Sequence, residues 1–268
     1  MFDLELFNGC KRSLETRDRR LALVIVDEIL RSPINNGVRF LDVGTGTGSF
    51  LRGVLDGILS RAHGSRIEAL CVEPTSEAWA ELGQLARDYN ELDVGVSVYK
   101  GSIEAYVAED RMESFSAAVL CHVLYHIPQS KWVQLLLHLQ NMLQPSGRVL
   151  IDLVSRNSGI YRLWEKVEPV VEEADVLRRF DECGALVFAE DLAETLDGAG
   201  ISYRREVVRA RYDAARLGAG AWTNALAFFF RLHPDDLTRA LLEVSSGGVE
   251  DPRDLLGEDH LFVIEAAG

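Results

Sequence analysis

The segment FLDVGTGTGS, Phe40 to Ser49, constrains the fold of this chain more than any other stretch. An apolar run ends in Asp42-Val43, turns through Gly44, Thr45, Gly46 and Gly48, and continues as SFLRGVLDGILSRA, whose apolar residues recur at three- and four-residue spacing. That pattern is a strand feeding a helix through a glycine turn. Glycine has no side chain, so a ligand can approach the backbone closely, and the first N–H groups of the helix face it. The spacing is G-x-G-x-G, not G-x-G-x-x-G. No position is kept for a pyrophosphate, which argues against a nicotinamide dinucleotide and against an oxidoreductase that would use one.

The rest of the chain repeats this strand-and-helix alternation. Strands are expected at 38–43, 67–73, 94–99, 117–123 and 148–154, and SEAWAELGQLARDY and KWVQLLLHLQNML read as helices with one buried face. Pro145-Ser146-Gly147 is expected to turn the chain just before the fifth strand. The fold class is therefore α/β, a doubly wound, mostly parallel sheet. A helix is expected over 13–31, closed by Ser32-Pro33. Beyond the fifth strand, 155–185 and 219–245 read as helical, 189–200 as a helix stopped by glycine, and 201–208 and 260–266 as strands. The domain expectation is an N-terminal helical cap segment, 1–36, and a main domain, 37–268, whose insertions at about 155–185 and 210–257 cap a substrate pocket.

Acidic residues number 42 against 28 Lys plus Arg, a formal charge of −14. Such a chain repels nucleic-acid phosphates and anionic membranes, so a small molecule is the expected partner. The densest basic run, KRSLETRDRR, is interleaved with acids and reads as a mixed-charge helix face. Cys10, Cys71, Cys121 and Cys183 are widely spaced, with no C-x-x-C pair and no histidine at ligand spacing. They are expected to be reduced thiols in a cytoplasmic protein, monomer or homodimer, with no metal. The apolar run LALVIV is too short for a signal h-region with its cleavage site or a membrane span.

Three features sharpen the glycine turn. Glu73 closes the second strand and is followed by Pro74; an acid at that edge can accept hydrogen bonds from both hydroxyls of a ribose. After the third strand, Ser102 and Ile103 are placed to meet the edge and face of an adenine. The fourth strand ends in CHVLYHIP, which sets His122, Tyr125 and His126 at the carboxyl edge where open α/β sheets bind ligands.

DVGTGTG, the acid in CVEP, and this polar, aromatic strand end together resemble the class I methyltransferases that use S-adenosylmethionine. The resemblance implies a seven-stranded Rossmann-like sheet whose last strand, HLFVIEA, is antiparallel. CVEPTSEAWAEL, VLIDLVSRNSGIYRLWEK, AEDLAETLDGAGISY and FVIEA narrow it to histamine N-methyltransferase and its bacterial relatives, from about Leu14 onward with gaps. It implies Gly44 and its neighbours for the methionine portion, Glu73 for the ribose, Ser102 and Ile103 near adenine, and Cys121 beside the sulfonium. On the acceptor side it implies Glu15 for a substrate amine and Tyr125 and Trp164 as pocket walls. Departures are His122 for a glutamine, His126 for a tyrosine, Ile160 for a tryptophan, Gly257 or Glu258 for an asparagine, and Ala78 for a glutamine.

Methyl transfer from a sulfonium is a direct displacement, so alignment of the acceptor lone pair and exclusion of water carry most of the rate. An amine must lose its proton first, and His122 or His126 is the group able to take it near neutral pH. The expected function is N-methylation of a small amine or nitrogen heterocycle. O- or carboxyl-methylation and a non-catalytic cofactor-binding role are the alternatives.

Overall fold

The computed structural model describes residues 15–31, 37–62, 64–109, 114–171, 187–211, 223, 226, 234–245 and 256–266. Helix α1 (Glu15–Leu30) precedes β1 (Val38–Val43), α2 (Ser49–Leu59), β2 (Ile67–Val72), α3 (Trp79–Asn90), β3 (Val94–Tyr99) and α4 (Ile103–Ala108). The chain continues with β4 (Phe115–Cys121), α5 (Trp132–Asn141), β5 (Leu143–Val154), α6 (Gly159–Val167), α7 (Ala189–Gly198), β6 (Arg204–Arg211), α8 (Pro234–Ser245) and β7 (Leu256–Glu265).

Seven strands form one sheet in the order β3-β2-β1-β4-β5-β7-β6. β1 to β5 run parallel to one another, and β7 runs antiparallel to both β5 and β6. The order reverses at β1, which lies between β2 and β4. In a doubly wound sheet the crevice for a ligand opens at that switch point, outside the carboxyl ends of the strands. Here those ends carry the glycine turn, Glu73 and the loop from His122.

Alternation along each strand divides the core in two. Phe40, Ala69, Val119, Leu150 and Val263 join Leu21, Ile25 and Val26 of α1 and Val54 and Leu55 of α2 on one face. Leu41, Val43, Ile151 and Phe262 join Trp132, Leu136 and Leu139 of α5 and Leu192 of α7 on the other. The Trp132 indole donates to the Ile127 carbonyl at 2.8 Å, so its one polar atom is satisfied inside the core. α1 packs on α2, β5 and β6, and α8 packs on α6.

Differences from the sequence expectation have local causes. Pro145-Ser146-Gly147 lies within β5 as a bulge: Phe115 opposes Leu143, while Ala117 opposes Arg148, and Ser146 takes φ +67°. β6 begins at Arg204 because α7 ends in a Schellman-type closure. There the Ile201 N–H donates to the Leu196 carbonyl at 3.0 Å and Gly200 takes φ +66°. Helix α4 was hidden in a six-residue stretch too short for a periodic signal. Within 155–185 the helix is Gly159–Val167, and residues 172–186 lie outside the described residues, as do Cys10, Cys183, Phe228–Phe230 and most of 210–257. Among the described residues, no helix is long and apolar enough to cross a membrane.

Candidate methyl-transfer site

Gly44, Gly46 and Gly48 all adopt positive φ, +65°, +58° and +81°, a region costly for other residues. The Gly44 N–H donates to the Val72 carbonyl at 2.8 Å, and the Thr45 hydroxyl donates to the Asp42 carbonyl at 3.0 Å, so the turn is tied to β2 and to its own strand. A Cβ on Gly44 would lie 1.9 Å from Val123 Cγ2, and one on Gly48 would lie 2.7 Å from Leu85 Cδ1. The turn is therefore held between the loop after β4 and helix α3.

Glu73, buried at the end of β2, reaches across to this turn. Its Oε2 accepts the Gly46 N–H at 2.6 Å and its Oε1 accepts the Thr75 N–H at 2.8 Å. The Trp79 indole donates to the Glu73 carbonyl at 3.0 Å, and Lys100 Nζ sits 5.1 Å above the Trp79 ring. Pro74 is exposed, and Ala78 is buried in the short 3-10 turn Ser76–Ala78. Ser102 is the N-cap of α4, where its Oγ accepts the Ala105 N–H at 3.2 Å; Ile103 is buried in the cluster that holds Val72 and Tyr106.

β4 ends at Cys121, and His122 leaves the strand with φ +54°. A 3-10 turn, Leu124–His126, follows. The His122 and Tyr125 rings are near parallel at 6.3 Å, and His126 meets Tyr125 edge-on at 4.8 Å. His122 is half-buried and His126 is exposed, so of the two imidazoles His122 faces the protein.

Sequence reasoning missed the charges around His122. Arg17 of α1 is fully buried and touches His122 Nε2; it also donates to Asp18 Oδ1 at 2.9 Å and Asp259 Oδ1 at 3.4 Å. Asp152 Oδ2 lies 3.1 Å from the same ring nitrogen and 3.9 Å from Cys121 Sγ. The register explains the meeting: Cys121 opposes Asp152, and Asp259 opposes Val154, two residues along β5, so the three share a face of the sheet with α1 above. Burial, and then the charge of Asp259, pushes the Asp152 carboxyl well above its usual range, and burial pushes Asp259 up to about 6 against the pull of Arg17. Burial, and then Asp152, likewise raises the Cys121 thiol, which keeps it protonated. The available signal was Asp152 inside the apolar run VLIDLV and Asp259 leading into the apolar run of EDHLFVIE. Cys121, His122 and Asp152 bring potential metal-ligand atoms within 4.8 Å of one another, but Arg17 already lies against the imidazole nitrogen.

Trp164 and Ile160 are both buried on α6, on a face shared with Leu163 and Val167. Glu15 begins α1, and its side chain lies outside the described residues. Glu258 is occupied by Ser155, Arg209 and His260; burial alone would raise its carboxyl, and these hydrogen bonds reverse that to about 2.

Comparison with known proteins decides the family. Residues 14–205 match the methyltransferase domain family. This chain belongs to it. Histamine N-methyltransferase A of Xenopus laevis is 29% identical over 178 residues, 65% of this chain and 58% of that protein. The Mus musculus histamine N-methyltransferase is 27% identical over 172 residues, 62% of this chain and 55% of that one. The matched region thus spans less than two thirds of the length of these curated relatives. Among solved structures, the plantazolicin methyltransferase BamL, in complex with a triazolic desmethylPZN analog and SAH, superposes with TM-score 0.54 at 13% identity, covering 97% of this chain and 89% of that one. At that identity the likeness is one of fold. The matched methyltransferase domain includes the glycine turn, Glu73, His122 and Asp152, and stops before Asp259.

Proposed function

We propose that this methyltransferase binds S-adenosylmethionine at the glycine turn and Glu73 and methylates a nitrogen of a small amine or heterocycle. Bound there, the cofactor supplies a methyl group on a positively charged sulfur. The residues present fit it. Gly44 and Gly48 let the turn pack tightly against Val123 and Leu85 at the carboxyl edge of β1, and Glu73 is fixed by two backbone N–H groups, Gly46 and Thr75, while each oxygen retains a lone pair for a ribose hydroxyl. The likeness to histamine N-methyltransferases and to SAH-bound neighbours supports the same reading.

The nitrogen assignment is carried by the acids beside His122. A neutral nitrogen becomes positive as it accepts a methyl group, whereas a hydroxyl or carboxyl acceptor must first become an anion. Asp18 and Asp259, set against the single guanidinium of Arg17 that bridges them, leave a negative balance that favours positive charge and opposes an anion at this place. His122 takes the ammonium proton, Tyr125 walls the acceptor, and Cys121 lies beside the transfer point. Helix α1 packs against the sheet on this side and brings Arg17 to the cluster. The free thiols Cys71 and Cys121 suit the cytoplasm.

The test is incubation with isotope-labelled S-adenosylmethionine and a panel of amines, nitrogen heterocycles, phenols and carboxylic acids, with products identified by mass. Label on nitrogen is expected. Label on oxygen alone would overturn the nitrogen assignment, and no product with tight cofactor binding would overturn catalysis.

A further inference from the structure

In a parallel ladder, a residue whose N–H donates to one carbonyl of the neighbouring strand accepts from the N–H two residues further along that strand. β2 and β3 keep this rule as far as their carboxyl ends, where Val72 opposes Tyr99 and the Glu73 N–H donates to the Tyr99 carbonyl at 3.1 Å. The next rung would bring the Gly101 N–H to the Glu73 carbonyl. It does not form. The Gly101 N–H turns back instead to the Tyr99 carbonyl of its own strand, at 3.2 Å. A Cβ on Gly101 would lie 2.7 Å from Tyr99 Cε1, so glycine suits this turn. The two strands therefore part at Glu73, on the edge where the ligand crevice opens.

A side chain takes the place of the absent rung. Trp79, at the start of α3, donates its indole N–H to the Glu73 carbonyl at 3.0 Å. The loop between them is thus tied back to the acid twice, by the Thr75 N–H on the carboxylate and by the indole on the carbonyl. With the Gly46 N–H on Oε2, every polar atom of Glu73 has a partner, and the indole is the one partner supplied by a side chain. The Trp79 ring is half-buried and lies under Lys100 Nζ, so it also spans to the loop after β3. Without the indole, the Glu73 carbonyl is free to take the Gly101 N–H, which would draw β2 and β3 together and swing the carboxylate with its peptide.

We propose that Trp79 is a positioning residue for the cofactor, its indole N–H replacing the last rung between β2 and β3 and holding Glu73 in the pose that meets the ribose hydroxyls. That this pose serves a ribose rests on the function proposed above.

Calorimetry with S-adenosylhomocysteine and its 2′-deoxy derivative tests this with no acceptor present. The wild type should bind the first at least ~10-fold more tightly, because the deoxy compound lacks a hydroxyl for a charged acceptor. Trp79→Phe keeps a flat ring beside Lys100 and loses the N–H. It should bind S-adenosylhomocysteine ~3–10-fold more weakly while the affinity for the deoxy derivative hardly changes, so the preference for the ribose shrinks. Equal losses for both compounds, or a loss for neither, overturn the proposal, since general damage to the crevice does not sort ligands by one hydroxyl. Should Trp79→Phe not fold, 3-benzothienylalanine in place of Trp79, which has the indole's shape with sulfur where the N–H was, makes the same comparison. A wild type with no preference for the ribose overturns the ribose role of Glu73 and this inference with it. A wild-type preference that persists undiminished in the variant overturns this inference alone.

Discussion

Glu73 and Gly46 are joined across the switch point of the sheet, the carboxylate on the end of β2 accepting the backbone N–H of the glycine turn after β1 at 2.6 Å. The acid therefore shapes the turn as well as standing where a ribose would lie. Glu73→Ala removes the acceptor for two backbone N–H groups and both proposed ribose contacts. It should weaken S-adenosylmethionine binding at least ~10-fold and lower stability by ~1–3 kcal/mol. Calorimetry showing unchanged affinity would sink the ribose role, and an unchanged melting temperature would sink the structural one.

Gly44→Ala meets two obstacles, a φ of +65° and a methyl group 1.9 Å from Val123 Cγ2. A loss of ~2–4 kcal/mol is expected from strain and overpacking together. Because Val123 belongs to the His122 loop, the variant should also lose cofactor affinity. Urea unfolding and cofactor titration measure the two effects, and a stable variant with normal affinity would mean that this contact yields.

The two histidines separate by location. His122 faces Arg17 and Asp152, whereas His126 is exposed. His122→Ala should lower kcat by ~100-fold or more and His126→Ala by much less. Equal losses would remove His122 as the proton acceptor.

Ser102 distinguishes a cap from an adenine contact. Its hydroxyl already accepts the Ala105 N–H at 3.2 Å. Ser102→Ala should therefore cost ~1 kcal/mol of stability. Cofactor affinity should be nearly unchanged, and a loss of affinity with no loss of stability would restore the adenine role.

The buried aspartate Asp259 sets a pH dependence. Its carboxyl rises from the ordinary 3.8 to about 6 in the folded chain, so the folded state binds more protons than the unfolded one between those values. Its contribution to stability is full below the unfolded pKa and is lost as pH rises through about 6. Glu258 acts oppositely: held at about 2 rather than 4.5, it stabilises above the unfolded value and loses that as pH falls through the window. Denaturant midpoints from pH 4.5 to 7 should fall less steeply in Asp259→Asn than in wild type. A slope equal to wild type would contradict the buried, protonatable state of Asp259.

The parallel core and its glycine turn were legible because short-range patterns encode them. Period-two and period-3.6 apolar spacing and three glycines are visible within a dozen residues. The charged cluster was not, since Arg17, His122, Asp152 and Asp259 come from four elements and meet only through strand order and register. KRSLETRDRR reads as a mixed-charge helix face, yet its Arg17 is fully buried because α1 packs against the sheet, where Asp259 meets it. Ser102 was placed at the right edge, but its capping bond depends on a six-residue helix with little periodic signal.

The strand order also carries a hazard for assembly. β7 enters between β5 and β6, and in the described sheet β6 pairs with β7 alone. Until β7 docks, β6 has no hydrogen-bonded neighbour and the β5 edge stands open, two bare templates for another chain. Such a long-range insertion forms late. Misassembly of this protein should begin at the half-closed β5 edge, and a chaperone or a lower synthesis rate should help most at that step.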